Sequence, residues 1–234
     1  MTKTIEDKEL GVIVFSKNTR AKRLIIRLKA DCIAVTVPYH STYDEAMKFV
    51  QSKREWIIAN REKTQKKQQL ISNTEPLKTL TFGVQLTPAE RKDYLISLKN
   101  NILTIHYPQH ISPESENAQE IFHRAVENAL RYEAKRILPP MLKNLAAQYG
   151  FQYDNVKISA GKTRWGSCSS RKTINLSYFL LTLPEHLIRY VLLHELCHTR
   201  EMNHGTHFWQ LLDSVTDKRA KALAGEIKKY RTSF

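Results

Sequence analysis

His194-Glu195-Leu196-Cys197-His198 places two imidazoles and a carboxylate within one short run. On a helix, residues four apart differ in direction by about 40°, so His194 and His198 leave the same face and can hold one zinc ion. Glu195 falls on the neighbouring side, within reach of a metal-bound water, where it can act as general base. His204 comes six residues after His198. On an unbroken helix it would face about 240° away, so it joins the pair only if the chain turns at Asn203-His204-Gly205. Asn and Gly tolerate such a turn. A third protein ligand leaves the fourth position open for water, the catalytic arrangement of zinc. His207 and the carboxylate of Glu201 compete with His204 for that third place.

Such a site needs a buried, rigid support. Thr182-Leu183-Pro184-Glu185 reads as a capping box that starts the helix, with Thr182 at N-cap, Glu185 at N3 and Pro184 in the first turn. Leu187, Ile188, Val191, Leu192 and Leu193 give the helix a broad apolar surface. A new apolar-periodic segment begins at Thr206. Upstream, residues 156–159, 164–168 and 173–179 alternate like strands, with Ser169-Ser170-Arg171-Lys172 turning between the last two. Before them, Ser112-Pro113 starts a helix expected over 114–137, with apolar residues at Ile121, Val126, Leu130 and Ala134. Pro139-Pro140 is expected to interrupt it, and a further helix to end at Gly150.

The first half contains a diverged repeat. Gly11-Val12, the run 24–29 and the run 33–38 parallel Gly83-Val84, the run 95–99 and the run 102–108. Ala30-Asp31 and Asn100-Asn101 are suited to tight hairpins, and each copy ends in proline before a helix. Thr42 and Glu45 can box the first of these helices, expected to run to about Lys63. The polar tract 63–72 is either a linker or a continuation of that helix.

The third-histidine offset also occurs in metzincins. Their pattern has glycine where this chain has Glu201, and they need a methionine beyond the third histidine, whereas no methionine follows Met202. A different set of motifs is more specific. Arg164-Trp165-Gly166-Ser167-Cys168, Ile174-Asn175-Leu176-Ser177, the His194–His198 run, and Asn203-His204-Gly205 followed by Phe208-Trp209 resemble the YgjP-like family of zinc metallopeptidases. That family is akin to the SprT group, which includes DNA–protein crosslink proteases. The resemblance extends more weakly to Arg20-Ala21-Lys22-Arg23 and Val37-Pro38. It implies zinc held by His194, His198 and His204, with Glu195 as base, on a zincin-type α+β fold.

The expected architecture is therefore α+β. A basic strand-hairpin-helix unit over 1–75 precedes a zincin-like domain over 76–234, whose HExxH helix packs against a small sheet. Trp165, Gly166 and Ser167 are expected at the sheet edge over the metal, where an extended peptide can pair with the backbone and Gly166 allows close approach. For Trp165 a place in the core is the competing reading. Arg164 either steadies an oxyanion or pairs with an acid, and Cys168 and Cys197 read as buried, inert thiols.

The net charge of +14 in 234 residues favours anionic partners, DNA first among them, through Lys17, Arg20, Lys22, Arg23, Arg27, Lys29, Lys48, Lys53, Arg54, Arg61, Lys63, Lys66 and Lys67. An ordinary solvated face accounts for the same charge, and Trp56 among these residues is expected to anchor the core. No apolar run reaches membrane-spanning length, and the scattered cysteines imply no disulfide framework. A cytoplasmic, zinc-dependent hydrolase of polypeptides is the reading that follows. A DNA-associated form of it and a catalytically silent zinc protein are the alternatives; an intact Glu195 speaks against the second.

Overall fold

The computed structural model describes residues 2–7, 9–28, 32–65 and 70–232. Lys29, the Ala30-Asp31 turn, Lys66 and Lys67 lie outside them. The chain divides into two compact units, Met1–Gln69 and Leu70–Phe234. Among the described residues no helix is long and apolar enough to cross a membrane.

In the first unit, strands β1 (Thr2–Asp7), β2 (Gly11–Asn18), β3 (Ile25–Leu28) and β4 (Ile33–Pro38) form one sheet in the order β1-β2-β4-β3. Alternation buries Ile13 and Phe15 from β2 and Ile33, Val35 and Val37 from β4, the period-two pattern of a sheet with one covered face. Ala46 and Val50 of helix α1 (Tyr43–Ser52) and Ile57 of α2 (Arg54–Gln65) complete this core. The Thr42–Glu45 capping box is present, with reciprocal bonds of 3.1 and 2.9 Å. The single helix expected to Lys63 is instead broken at Lys53, whose N–H turns back to the Val50 carbonyl. Beyond the break Arg54 reaches Glu9 at 2.7 Å and Asp7 at 3.3 Å. Asp7 also accepts from the Leu10 and Glu9 N–H groups, and these donors, with Arg54, bring its carboxyl down to about 2. Trp56 is half exposed, and its neighbour Ile57 fills the core position expected of it. Lys17 donates to the Pro38, Tyr39 and Ser41 carbonyls, so it and Arg54 serve the fold of their own unit. Arg20, Lys22 and Arg23 are exposed.

The second unit opens with β5 (Gly83–Ala89), β6 (Leu95–Lys99) and β7 (Ile102–Pro108), in the order β5-β7-β6. β5 runs parallel to β7 and β6 antiparallel to it, as β2 and β3 do with β4, so the two halves of the repeat share one topology. Asn100 and Asn101 both have positive φ (49° and 61°), as a two-residue hairpin turn requires. Gln119 clasps the Ile71 backbone at both N–H and carbonyl, each at 2.9 Å, which ties Ile71 into this unit.

Helix α3 (Glu116–Tyr149) starts from an N-cap at Ser115 rather than at Ser112-Pro113, and it runs unbroken through Pro139-Pro140. The prolines release the carbonyls of Lys135 and Arg136, and both residues are exposed, so water can take those bonds. Leu138 and Leu142, fully buried on either side, hold the helix in line. Gly150 caps it in the left-handed conformation (φ 69°).

A second sheet follows: β8 (Asn155–Ser159), β9 (Gly166–Cys168) and β10 (Thr173–Ser177), in the order β8-β10-β9. β10 leads through a buried 3₁₀ turn, Tyr178–Thr182, into α4 (Glu185–Cys197), α5 (Thr206–Val215) and α6 (Ala220–Glu226). Thr182 does not cap α4. Burial of Tyr178, Phe179, Leu180 and Leu181 draws it into the 3₁₀ turn, where its hydroxyl donates to the Phe179 carbonyl at 2.8 Å. Pro184 occupies the N-cap with no side-chain cap bond. One core joins α3, β10 and α4–α6 through residues such as Phe122, Leu138, Leu176, Leu192, Leu196 and Phe208.

Candidate active site

α4 presents His194 one turn before His198, which is its C-cap. The chain then reverses, and Gly205 becomes the N-cap of α5 with His204 just ahead of it. Neither Asn203 nor Gly205 has positive φ, so the turn does not use the left-handed tolerance that their residue types suggest. His194, His198 and His204 converge as a group able to hold one metal ion. Nε2 of His194 lies 3.2 Å from Nε2 of His198 and 3.1 Å from Nε2 of His204. Two nitrogens bound tetrahedrally to one zinc at about 2.0–2.1 Å stand about 3.3 Å apart, so the spacing fits. Nδ1 of His198 is 3.0 Å from the Glu201 carbonyl. That contact puts the proton on Nδ1 and turns a bare Nε2 lone pair to the cluster. Glu201, a rival for the third ligand position by sequence, thus contributes its backbone instead. His207 is exposed and stands outside the cluster.

Phe208, fully buried, stacks on His198 with ring centroids 4.6 Å apart and meets His194 and His204 edge-on at 5.0 and 4.7 Å. It fixes the planes of all three imidazoles, a role not readable from sequence beyond the apolar spacing of α5. Burial lowers His194 to about 3, with further lowering from His198 and His204, and it lowers His198 as well. Both are therefore neutral near pH 7, the form in which imidazole binds metal.

Glu195 is buried and has no hydrogen bond to its carboxylate among the described residues. Burial pushes it up to about 8, against the opposing pull of Arg164. Its carboxylate lies under Gly166 of β9: a Cβ built there would stand 2.7 Å from Oε1 and 2.8 Å from Cγ of Glu195. Gly166 is thus required by the acid itself, a reason separate from the substrate approach expected of it. Trp165 is partly buried against the main core, and its carbonyl accepts from the Ser177 N–H at 2.9 Å. Burial raises the Cys197 thiol to about 12 and also raises Cys168, in keeping with unreactive thiols. Tyr190, one turn before His194, is likewise raised by burial to about 12. A cavity of about 220 Å³ opens beside Gly166 and Ser167, lined also by Ser159, Arg164, Asn175 and Ser177.

Three converging imidazoles, with a buried carboxyl at Glu195 on the same helix, suit a divalent metal and hydrolytic chemistry. The class is borne out by comparison with known families: the YgjP-like metallopeptidase domain matches residues 22–228, and the chain belongs to that family. Among solved structures, the zymogen of abylysin from Pyrococcus abyssi is 27% identical over 42% of this chain and 100% of that one, with a TM-score of 0.37. The zymogen of jannalysin from Methanocaldococcus jannaschii is 24% identical over 39% and 93%, with a TM-score of 0.35. No curated protein matches the chain.

Proposed function

We propose that the chain is a zinc-dependent peptidase whose second unit is zincin-like, with His194, His198 and His204 as ligands and Glu195 as general base. The observation that carries this reading is the convergence of the three imidazoles, with Glu195 on the same helix holding a buried carboxyl that has no hydrogen bond among the described residues. Held by His194, His198 and His204, zinc would lower the pKa of a water molecule towards neutrality, polarise the scissile carbonyl and favour the ionised form of Glu195. Glu195 accepts the proton of the attacking water on its carboxylate and returns it to the leaving amine as the C–N bond breaks. β9 bonds to β10 along one edge, and its other edge carries no strand among the described residues. With the Trp165 carbonyl turned to Ser177, an extended polypeptide pairs there with the outward backbone groups of Gly166, between Trp165 and Ser167. A silent zinc site has no use for Glu195, because an uncompensated buried carboxyl costs stability.

Zinc analysis combined with cleavage of an unfolded protein tests the reading. About one zinc per chain and cleavage that is lost in Glu195→Gln are expected. Undiminished cleavage by that variant, or a zinc-saturated chain with no hydrolytic activity, overturns it.

A further inference from the structure

The cavity beside the edge strand is lined by polar groups and a single charged one. Arg164 forms no ion pair among the described residues, while its neighbour Lys162 is neutralised by Glu127 at 2.8 Å. Ser167 and Asn175 face each other across the β9–β10 ladder, and neither side chain has a hydrogen-bond partner among the described residues. Ser177, by contrast, is spent on the fold, donating to the Gly161 carbonyl at 2.7 Å. Hydroxyls, an amide and one guanidinium therefore line one hollow with no acid in its wall. Gly166 belongs both to this wall and to the roof over Glu195, so the hollow adjoins the candidate base.

We propose that this cavity is a subsite for a carboxylate of the polypeptide substrate, with Arg164 as the specificity-determining residue and Ser167 and Asn175 as supporting donors. The inference rests on the peptidase reading above and names its substrate class. A guanidinium offers a carboxylate two parallel N–H donors, and Arg164, exposed at the cavity wall with no ion pair among the described residues, can present both. A volume of about 220 Å³ holds an acidic side chain or a chain terminus together with water.

The test uses the zinc-loaded full chain and two peptide sets. In one, Glu, Gln or Lys is walked through the positions flanking the scissile bond, with an amidated C-terminus. In the other, the side chains stay neutral and a free C-terminal carboxylate is set at varied distance. Both kcat/KM and, in the Glu195→Gln background, Kd by fluorescence anisotropy are measured. A preference of about tenfold or more for the carboxylate over its neutral counterpart is expected at one position, equivalent to about 1.4 kcal/mol. The set that shows it identifies the source as side chain or terminus. Arg164→Gln brings the ratio towards one, Arg164→Lys retains part of it, and Arg164→Glu shifts the preference to Lys. A ratio near one at every position overturns the proposal. So does an Arg164→Gln variant that weakens all peptides equally and leaves the ratio intact, the signature of an oxyanion or folding role. If no peptide is cleaved, the peptidase reading fails, and the Kd ratios still decide whether the subsite exists.

Discussion

Gly166→Ala probes the contact on which the proposed base depends. The added methyl would lie 2.7 Å from Oε1, 2.8 Å from Cγ and 2.9 Å from Cδ of Glu195. Carbon atoms prefer about 3.5 Å or more, so strand and carboxylate must separate by about 0.7 Å. Glu195 is buried and cannot swing into solvent. Overpacking of this kind costs about 1–3 kcal/mol. Replacing Gly by Ala recovers about 0.4–1 kcal/mol through the unfolded chain, because Gly166 lacks a positive φ. The expected net loss is about 1–2 kcal/mol. In a Glu195→Ala background the clashing atoms are gone, and the same substitution should be neutral or stabilising by up to about 1 kcal/mol. The double-mutant cycle then gives a coupling of about 2 kcal/mol. Urea unfolding at a fixed zinc excess measures it, so that metal linkage does not differ between variants. Activity should fall about 10²-fold from misplacement of the base, with zinc content unchanged. An equal stability cost of Gly166→Ala in both backgrounds would refute the claim that the glycine exists to accommodate Glu195.

Glu195→Gln should lower kcat by about 10²–10⁴-fold or more while zinc content and fold are retained, read by stopped assays and metal analysis. His204→Ala should weaken zinc by more than the roughly 100-fold that loss of an outer supporting group costs, whereas His207→Ala should leave it unchanged in a competitive chelator titration. Asp7 supplies a pH test: its carboxyl titrates at about 2 in the fold against an ordinary 3.8, so its stabilisation is complete above about pH 4 and is lost as pH falls through 2. The stability gap between wild type and Asp7→Asn, from urea unfolding, should be constant above pH 5 and close over that window; a gap that widens on acidification contradicts the role of the ionised carboxylate as acceptor for Glu9, Leu10 and Arg54.

Local chemistry was legible where a short segment decides the outcome. The Thr42–Glu45 box, the paired left-handed turn at Asn100-Asn101 and the cap at Gly150 depend on neighbours within a few residues, and all three are present. So was the repeat, because strand length and alternation are set by period two. The failures came where burial overrode propensity. Pro139-Pro140 passes within α3 because packing on both sides and exposed carbonyls remove the reasons for a break. Thr182 belongs to the 3₁₀ turn for a related reason, since four successive buried residues precede it. Ile57 takes the core position expected of Trp56 because the chain breaks at Lys53, which resets the helical phase. The charge divides by residue: Lys17 and Arg54 count towards the net +14, yet their partners are carbonyls and acids of their own unit, whereas Arg20, Lys22 and Arg23 are exposed.

The site divides along the same line. His194 and His198 were fixed by a four-residue spacing, and His204 by the need for a turn that sequence can suggest without fixing its path. Their common feature appears only in three dimensions. His198 Nδ1 is tied to a carbonyl, His194 Nδ1 is buried without a partner among the described residues, and Nε2 of His194 stands 3.2 and 3.1 Å from those of His198 and His204. Such a group of acceptors is mutually unfavourable unless something positive stands among them. Phe208 and Gly166 deepen the conflict, one by pinning the rings and the other by clearing room for the carboxylate. A chain that spends buried stability to hold acceptors together has been shaped around a cation, and this frustration argues for a metal-dependent function more strongly than the sequence spacing does.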